Sequence, residues 1–519
     1  MKLENRFLTA SLTLLVGCSL GFDEDKYVAT EGIKKAQSFV VTLEDSTKAQ
    51  ELLAMENVSS FSEVADGVFV VQANEDELAQ LFENSDVAKI YEDALLPPLQ
   101  PLMANLGVGA PSWHLDRIDQ SAPALDGAPY TPRYDGQGVS VYVLDTGVLT
   151  THTGFEGRAR FGVNTATGDS SPCESHGTAV SGLVASRQFG SAPGANIVDV
   201  NIYDCDLDED GDGIQDGAFL SDTLEGIEWI KDNAIFPAVA NISQGVEGQP
   251  TSAVLNQAIR ELADSGVLVV VSSGNEFVDA CTRTFASSPF AITSGAVDIS
   301  GQRHGNFGSC VDVWAPGVLV SSTSGSGNTT TLTGTGTSFA APLVSGAVAM
   351  LLEENPALGR IEAEAILRQR ATLGQIQDLG VGSPDGLLWV ESQADAVAEP
   401  SCQAAGPLDS QGNDADGFGW DGTSSCRLDG AQTSPPAEQP SGNTGSPGEC
   451  DYSSASSNGG WGWNASTGQS CPPLGAGSSN NGQDAESENG VGTSCDYSSA
   501  SANGGWGWDP VNRVSCPPL

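Results

Sequence analysis

Short apolar runs alternate with helical patterns through the middle of the chain. The runs are Val139–Leu144, Ile197–Ile202, Ala238–Ile242 and Val267–Val271. Strands of a parallel sheet have this composition, because helices cover both faces of such a sheet. The pattern therefore predicts an α/β domain with a mostly parallel sheet over residues 105–392.

A smaller module precedes this domain. Its pattern predicts three strands and two helices, at Ser38–Leu43, 46–56, Gly67–Gln72, Asn74–Asn84 and Val87–Tyr91. Asn74 followed by Glu77 fits a capping box at the start of the second helix. We expect a small ferredoxin-like α+β module with its core at 38–96, followed by a Pro-rich exit.

Beyond residue 400 the chain repeats itself. The segments 450–474 and 495–519 share a Cys-Asp-Tyr-Ser-Ser-Ala-Ser run and a Gly-Gly-Trp-Gly-Trp run, and a degenerate copy lies at 402–430. The intervening segments 431–449 and 475–494 are rich in small and polar residues, a composition typical of flexible linkers.

The first residues predict export. Two basic residues, Lys2 and Arg6, precede an apolar run, Phe7–Val16, that is too short to span a bilayer. The run ends in Leu15-Val16-Gly17-Cys18, which resembles a bacterial lipoprotein signal. We expect removal of residues 1–17 and lipidation of Cys18; an ordinary signal peptide cut nearby is the alternative. Both predict a secreted, extracellular protein.

Charge and cysteine content narrow the possible partners and the compartment. The 519 residues include 21 Lys and Arg against 67 Asp and Glu, a formal net charge of −46. This excludes nucleic acid and anionic membrane surfaces as partners, because both need a basic face. Eleven cysteines become ten without Cys18, enough for five disulfides in an oxidising compartment. We expect a monomer with no organic cofactor.

Four polar residues of the main domain stand at strand ends or helix starts: Asp145, His176, Asn275 and Ser338. A serine hydroxyl becomes a good nucleophile when an imidazole accepts its proton, and a carboxylate must hold that imidazole. The resulting oxyanion needs donors, for which the Ser338 N–H and the Asn275 amide are candidates. The set predicts a serine-nucleophile hydrolase.

The motifs around these residues resemble one family. They are Asp145-Thr146-Gly147, His176-Gly177-Thr178, Ser272-Ser273-Gly274-Asn275 and Gly336-Thr337-Ser338-Phe339-Ala340-Ala341-Pro342. In this order they resemble the subtilisin-like serine peptidases of the S8 family. Trp113–Gln120 and Asn306–Cys310 resemble its proteinase K branch. The resemblance implies a subtilisin-like three-layer fold and a serine endopeptidase that acts on protein or peptide substrates.

The resemblance also assigns the substrate cleft. It implies that two backbone segments edge the cleft, containing Ser243, Gly245, Ser272, Ser273 and Gly274. The sequence Ser243-Gln244-Gly245-Val246 departs from the Ser-Leu-Gly-Gly common in the family, and Ala179 stands where a second histidine is common. These departures concern the substrate subsites and leave the triad intact.

Residues 18–104 resemble the inhibitory propeptide of this family, of the inhibitor I9 type. The resemblance implies that this segment assists folding and occupies the cleft, so that the protein's own propeptide is its inhibitor. Cleavage within Pro101–Ala110 would release the mature enzyme from a precursor that Cys18 anchors to the membrane.

The ten remaining cysteines suggest five pairs. Cys173–Cys205 and Cys281–Cys310 are spaced like two disulfides of the bacterial proteinase K-like enzymes. In the tail, the repeat boundaries favour local pairs over pairs across repeats, at Cys402–Cys426, Cys450–Cys471 and Cys495–Cys516. Closing these loops would stabilise segments that are poor in aliphatic residues.

An acidic loop follows Cys205 and predicts a structural Ca²⁺ ion. Its carboxylates are Asp206, Asp208, Asp210, Asp212 and Asp216. Alternating carboxylates with a glycine at the turn suit a hard cation with many oxygen ligands. The spacing matches the calcium loop of thrombospondin type 3-like repeats, although the glutamate of a full EF-hand is missing. An acidic, solvated loop is the alternative.

The tail repeats resemble the cores of small cellulose-binding modules. Their tryptophans, Trp461, Trp463, Trp506 and Trp508, offer flat apolar faces to sugar rings. This indicates a polysaccharide or cell-surface glycan as partner. The alternatives are that the tryptophans form the core of each repeat, or that the tail is a secretion or surface-sorting element.

Two other functions compete with the peptidase. A catalytically silent surface or glycan-binding adhesion protein would keep the fold, but the complete triad with Asn275 argues against it. An α/β-hydrolase esterase would have its serine before its histidine, and Ala340 breaks the G-x-S-x-G pattern.

Overall fold

The computed structural model describes most of the chain between residues 26 and 393 and short strands beyond it. The described residues are 26–28, 34–48, 60–96, 112–122, 124–166, 172, 175–203, 217–244, 252–393 and short strand segments between 403 and 516. The chain divides into two compact units, Met1–Gln403 with Trp420–Ser425, and Ala404–Gly419 with Cys426–Leu519. Among the described residues, no helix combines the length and apolarity needed to cross a membrane.

The N-terminal part forms a small sheet packed against a helix. Its elements are β1 Tyr27–Val28, β2 Lys34–Leu43, β3 Ser60–Ala65, β4 Val68–Gln72, helix α1 Glu75–Glu83 and β5 Val87–Leu96. The strand order is β1-β5-β2-β4-β3, and all pairs except β1–β5 are antiparallel. Val41, Phe69 and Ile90 of the sheet share one buried apolar cluster with Leu81 of α1.

The capping box predicted for α1 is present. The Asn74 side chain accepts hydrogen bonds from the Asp76 and Glu77 N–H groups, and the Glu77 carboxylate accepts from the Asn74 N–H at 2.6 Å. These contacts satisfy donors that a helix start otherwise leaves open.

The N-terminal sheet differs from its prediction in four strands. β1 and β3 were not predicted, β2 begins at Lys34 instead of Ser38, and the strand predicted to end at Tyr91 continues to Leu96 as β5. Ser60-Phe61-Ser62-Glu63 has too few apolar residues to show a strand period, and its pairing with β4 fixes it instead. Of the helix predicted at 46–56, only the 3₁₀ turn Ser46–Lys48 lies within the described residues.

The central part alternates strands with helices. Its strands are β6 Ser140–Asp145, β7 Ala159–Asn164, β8 Asn196–Asn201, β9 Ala218–Phe219, β10 Ala238–Ile242, β11 Leu268–Ser272, β12 Ala291–Val297, β13 Arg303–His304, β14 Val313–Pro316, β15 Val320–Thr323 and β16 Thr331–Gly334. Its helices are α2 Trp113–Ile118, α3 His176–Ala185, α4 Leu220–Asn233, α5 Ala253–Asp264, α6 Thr337–Glu354 and α7 Arg360–Arg370. Short 3₁₀ turns lie at Thr153–Phe155 and Ala280–Thr282.

Eight of these strands build one sheet in the order β13-β12-β11-β10-β6-β8-β7, with β14 also paired to β12, while β15 and β16 pair with each other. All neighbours run parallel except β13, which is antiparallel to β12. The four apolar runs in the sequence correspond to β6, β8, β10 and β11. The predicted α/β class with a mostly parallel sheet is therefore confirmed.

Helices cover both faces of this sheet. In β6, Val141 and Val143 belong to the apolar cluster that contains α3 and α6. Tyr142 and Leu144 belong to the opposite cluster, which contains α4 and α5. Because successive strand residues point to opposite faces, a strand covered on both sides is apolar at most of its positions.

Two of the tail repeats contain matching hairpins. The first pairs β20 Gly462–Asn464 with β21 Gln469–Cys471, and the second pairs β22 Gly507–Asp509 with β23 Val514–Cys516. The described strands β17 Gln403–Ala404, β18 Phe418–Trp420 and β19 Ser425–Arg427 precede them. In both hairpins, a Gly opposes a Cys and the next residue, a Trp, opposes a Ser.

Candidate active site

The candidate residues meet at one edge of the central sheet. Strands β6, β10 and β11 are neighbours and parallel, so their carboxyl ends lie together. Asp145 is the last residue of β6, and His176 and Ser338 lie in the first turns of α3 and α6. The carboxyl edge of an open α/β sheet is where such folds usually bind their ligands.

Asp145 and His176 are joined by a short hydrogen bond. The His176 Nδ1 atom lies 2.7 Å from Asp145 Oδ1, and both side chains are buried. The same carboxylate oxygen accepts from the Thr146 N–H at 2.8 Å. A Cβ added at Gly177 would lie 2.5 Å from the Gly147 carbonyl oxygen, so only glycine lets α3 start this close to β6.

Ser338 and Asn275 border a common space above Gly336. A Cβ added at Gly336 would lie 3.2 Å from both Ser338 Oγ and Asn275 Nδ2. Within the part of the chain that the structure describes, both atoms are buried and have no hydrogen-bond partner. Phe339, next to Ser338, packs edge-on against the His176 ring at 5.8 Å. The nucleophile and the amide donor therefore border one small volume, and the base packs against the residue that follows the nucleophile.

Thr337 fixes the orientation of the Asn275 amide. Asn275 Oδ1 accepts from the Thr337 N–H at 2.9 Å and from the Thr337 hydroxyl at 3.1 Å. With Oδ1 engaged by α6, the Nδ2 group is the part of the amide left for the cleft. Sequence reasoning missed this role, although Thr337 lies inside the serine motif that it identified.

Asn306 supports Asn275 from behind. Its Nδ2 donates to the Ser273 carbonyl at 2.8 Å and to the Glu276 carboxylate at 2.7 Å. Gly274 has a φ of +102°, and a Cβ there would lie 2.2 Å from Asn306 Nδ2. Sequence reasoning missed this support, because Asn306 occurs in a motif that served only for the family resemblance.

The predicted cleft segments follow adjacent strand ends. Ser243 comes directly after β10, and Ser273 and Gly274 come directly after Ser272, the last residue of β11. All four are buried. Gly245, the remaining residue of this prediction, lies outside the described residues.

Asp199 is a buried carboxylate that sequence reasoning did not single out. It lies on β8 opposite Val143 of β6, is 1% exposed, and has one carboxylate oxygen without a hydrogen-bond partner. Burial raises its pKa to about 7; a hydrogen bond from the Val148 backbone opposes this shift, and the negative charge of Asp145 adds to it. The signal in the sequence was an acid inside an apolar strand.

The structure places a disulfide between Cys281 and Cys310. At least one partner of every other predicted pair lies outside the described residues, as do Cys18 and the acidic loop that contains Asp206, Asp208, Asp210, Asp212 and Asp216. Within the described residues, no group of three or more potential metal ligands occurs.

Comparison with known proteins agrees with this geometry. The model of the subtilase family matches residues 136–412. Alkaline serine exoprotease A of Vibrio alginolyticus is 35% identical over 332 residues, 63% of this chain and 59% of that protein. The extracellular serine proteinase of Thermus sp. strain Rt41A is 35% identical over 323 residues, 62% of this chain and 74% of that protein. This chain thus matches less than two thirds of the Vibrio protein.

Two solved structures share the fold. A cold adapted subtilisin-like serine proteinase is 36% identical, with a TM-score of 0.50 over 54% of this chain and 99% of its own. Fervidolysin from Fervidobacterium pennivorans, a keratinolytic enzyme related to subtilisin, is 22% identical, with a TM-score of 0.55 over 74% of this chain and 63% of its own. The predicted subtilisin-like fold is confirmed.

The environment of Asp199 predicts that stability depends on pH. Its pKa is higher in the folded chain than in the unfolded chain, so its ionisation destabilises the fold as pH rises from about 4 to about 7. Asp199→Asn should therefore gain up to about 4 kcal/mol over the wild type at pH 8 and little at pH 4. Urea unfolding at several pH values measures this difference.

The exposed carboxylate Asp232 provides a matched control, since Asp232→Asn removes one negative charge at the surface and leaves the buried carboxylate of Asp199 in place. An Asp199→Asn gain that is equal at pH 4 and pH 8 would show that Asp199 is not a buried titrating group.

Proposed function

The chain belongs to the subtilase family, and we propose that it is a secreted serine endopeptidase that hydrolyses peptide bonds of proteins. One observation carries this proposal. Ser338 Oγ and Asn275 Nδ2 border one space, and Phe339, the residue after Ser338, packs edge-on against the ring of His176, which is hydrogen-bonded to buried Asp145. The complete set also favours a peptidase over a catalytically silent adhesion protein.

Each side chain has a separate task in the proposed reaction. His176 takes the hydroxyl proton of Ser338 while Ser338 Oγ attacks the substrate carbonyl carbon. Asp145 accepts a hydrogen bond from the Nδ1–H group of His176, which holds the tautomer that leaves the other ring nitrogen basic, and it stabilises the imidazolium. His176 then gives its proton to the leaving amine, and an acyl-enzyme remains on Ser338.

The oxyanion of the tetrahedral intermediate needs donors that are already in place. The Ser338 N–H lies in the first turn of α6, where N–H groups have no acceptor within the helix. Asn275 Nδ2 is the second donor, and Thr337 keeps it pointing to the cleft. Water then attacks the acyl-enzyme by the same route, and His176 again accepts and returns the proton.

Removing the Asn275 amide should slow catalysis without changing substrate binding. Asn275→Ala is expected to lower kcat about 100- to 1,000-fold with little change in KM, the size of loss that removal of such an amide causes in subtilisin. Hydrolysis of casein and of a chromogenic peptide measures the effect. Exposed Asn233→Ala is the control, and an Asn275→Ala variant with wild-type kcat would contradict the assignment.

The N-terminal sheet is, in this proposal, an inhibitory propeptide. Its last strand, β5, pairs antiparallel with β9 through Leu95 and Leu96. Buried Asp93 accepts the N–H of Ser221 at 2.9 Å at the start of α4, so a carboxylate caps that helix. Lys35 and Asp222 form an ion pair at 2.9 Å. These contacts bind the sheet to the central part.

Self-processing predicts that the precursor persists when the nucleophile is removed. Ser338→Ala should remain uncut between Pro101 and Ala110 and stay with the membrane fraction, because no acyl-enzyme can form. Immunoblots of membrane and medium fractions with antibodies to each part measure this. The exposed Ser300→Ala variant should mature like the wild type. A Ser338→Ala chain that matures normally would exclude self-processing.

Export is proposed on the N-terminal sequence and on one relative. The Thermus relative is named an extracellular proteinase, and residues 1–18 have the pattern of a lipoprotein signal. We propose that lipidated Cys18 anchors the precursor and that maturation releases the enzyme.

The C-terminal repeats are proposed to bind glycans. Their matching hairpins place Trp463 and Trp508 at the same position in each pair of strands, in keeping with a repeated glycan-binding module.

Calcium is proposed as a structural ion held by the acidic loop. An ion that binds the folded state and not the unfolded state stabilises the fold. EDTA should therefore lower the unfolding temperature by several degrees, and excess Ca²⁺ should restore it. Replacing Asp208 and Asp210 by Asn should abolish this response, whereas Asp264→Asn, on an exposed helix end, should preserve it. Equal unfolding temperatures with and without EDTA would exclude a stabilising calcium site.

A further inference from the structure

The carbonyl of Ser338 lacks its regular helical partner. In an α-helix, the carbonyl of each residue accepts from the N–H four residues later. Four residues after Ser338 stands Pro342, which is inside α6 and has no N–H. Since Ser338 is fully buried, water cannot easily replace the missing donor.

A hydroxyl from the neighbouring strand segment supplies a donor. Ser243 Oγ donates to the Ser338 carbonyl oxygen at 2.9 Å, and Ser243 is 2% exposed. Ser243 directly follows β10, which packs against α6, so the donor comes from a rigid neighbour. The carbonyl that Pro342 leaves open is thus satisfied across the interface.

Two further side chains orient this hydroxyl. Asn241 Nδ2 donates to Ser243 Oγ at 2.9 Å, and Ser345 Oγ donates to Asn241 Oδ1 at 2.8 Å. A serine hydroxyl has one proton, so with Asn241 as its donor Ser243 directs that proton to Ser338. Asn241 and Ser345 are fully buried. The chain of hydrogen bonds starts on α6, crosses β10 and returns to α6.

We propose that Ser243 is a positioning residue for the nucleophile, oriented by Asn241 and Ser345. Its hydroxyl replaces the hydrogen bond that Pro342 cannot donate and holds the Ser338 backbone in place. This backbone carries both the Ser338 hydroxyl and the N–H of the oxyanion site. The inference rests on the proposed peptidase function and adds a role for the Ser243 side chain, beyond the backbone role of that segment in the cleft.

A double-mutant cycle of Ser243→Ala and Pro342→Ala tests whether the Ser243 hydroxyl replaces the N–H that Pro342 lacks. Ser243→Ala is expected to lower kcat about 10-fold per active site, with KM changed less than about twofold, because the substrate-facing backbone remains. Pro342→Ala returns an N–H four residues after Ser338. In that background, Ser243→Ala should cost less than about threefold, since the helix itself can satisfy the carbonyl.

Titration with a serine-directed phosphonyl fluoride counts active sites, so a variant that is merely less folded does not lower kcat per site. Ser191→Ala is the matched control: its buried hydroxyl donates to another α6 carbonyl, that of Leu343, at 3.0 Å. It should lower the unfolding temperature but keep kcat. If Ser243→Ala does not fold, Ser345→Ala, at the far end of the chain, should lower kcat about threefold.

Two results would overturn the proposal: a Ser243→Ala kcat within twofold of the wild type, or an equal loss with and without Pro342→Ala. The same cycle measured on unfolding temperature separates this outcome from failure of the proposed function. The two substitutions could be coupled in unfolding temperature in a chain that neither hydrolyses casein nor reacts with the phosphonyl fluoride. That result would refute the peptidase function but support Ser243 as the donor that replaces the missing N–H of Pro342.

Discussion

The burial of helix α6 is the constraint on which the rest of the site depends. Every residue from Thr337 to Leu352 is buried, so the polar groups of its first turn cannot rely on water. The residue before the helix, Gly336, has no side chain that could cap it. The carboxamide of Asn275 takes that place through Oδ1, which accepts the Thr337 N–H. Because this contact fixes the amide, Nδ2 faces the cleft. The Asn275 side chain thus caps the N-terminus of the helix and also serves as the proposed oxyanion donor.

The sheet holds two buried carboxylates on adjacent strands, Asp145 and Asp199, whose hydrogen bonding differs. Asp145 lies at the end of its strand, where His176 and the Thr146 N–H supply two hydrogen bonds to one oxygen. Asp199 lies within the adjacent strand, has one oxygen without a partner among the described residues, and its pKa is raised to about 7 by burial. Asp199 accepts a hydrogen bond from the Val148 backbone, whereas Asp145 is also joined to an imidazole. This difference explains why the acid at the strand end is the one suited to support an imidazole.

The sequence alone predicted the strands that have a clear hydrophobic pattern and the site residues that lie in a motif. The apolar runs predicted β6, β8, β10 and β11, because burial on both faces leaves a clear composition. Asp145, His176 and Ser338 were found through family motifs, and the structure brings them to one edge. Thr337, Asn306 and Asp199 were not assigned roles, because their roles depend on contacts between segments distant in the chain. Strand β3 was missed for a similar reason, since its partner strand rather than its own composition fixes it.

The serine motif is best understood as a set of mutually dependent constraints. Gly336 is required because a Cβ would fill the space between Ser338 Oγ and Asn275 Nδ2. The proline four residues after the serine removes one hydrogen bond from the buried helix, and Ser243 on the adjacent segment supplies a donor in its place. Close packing against the sheet holds the buried helix as a whole. The contact that compensates for the proline ties its first turn, which carries the nucleophile, to the residue that follows β10.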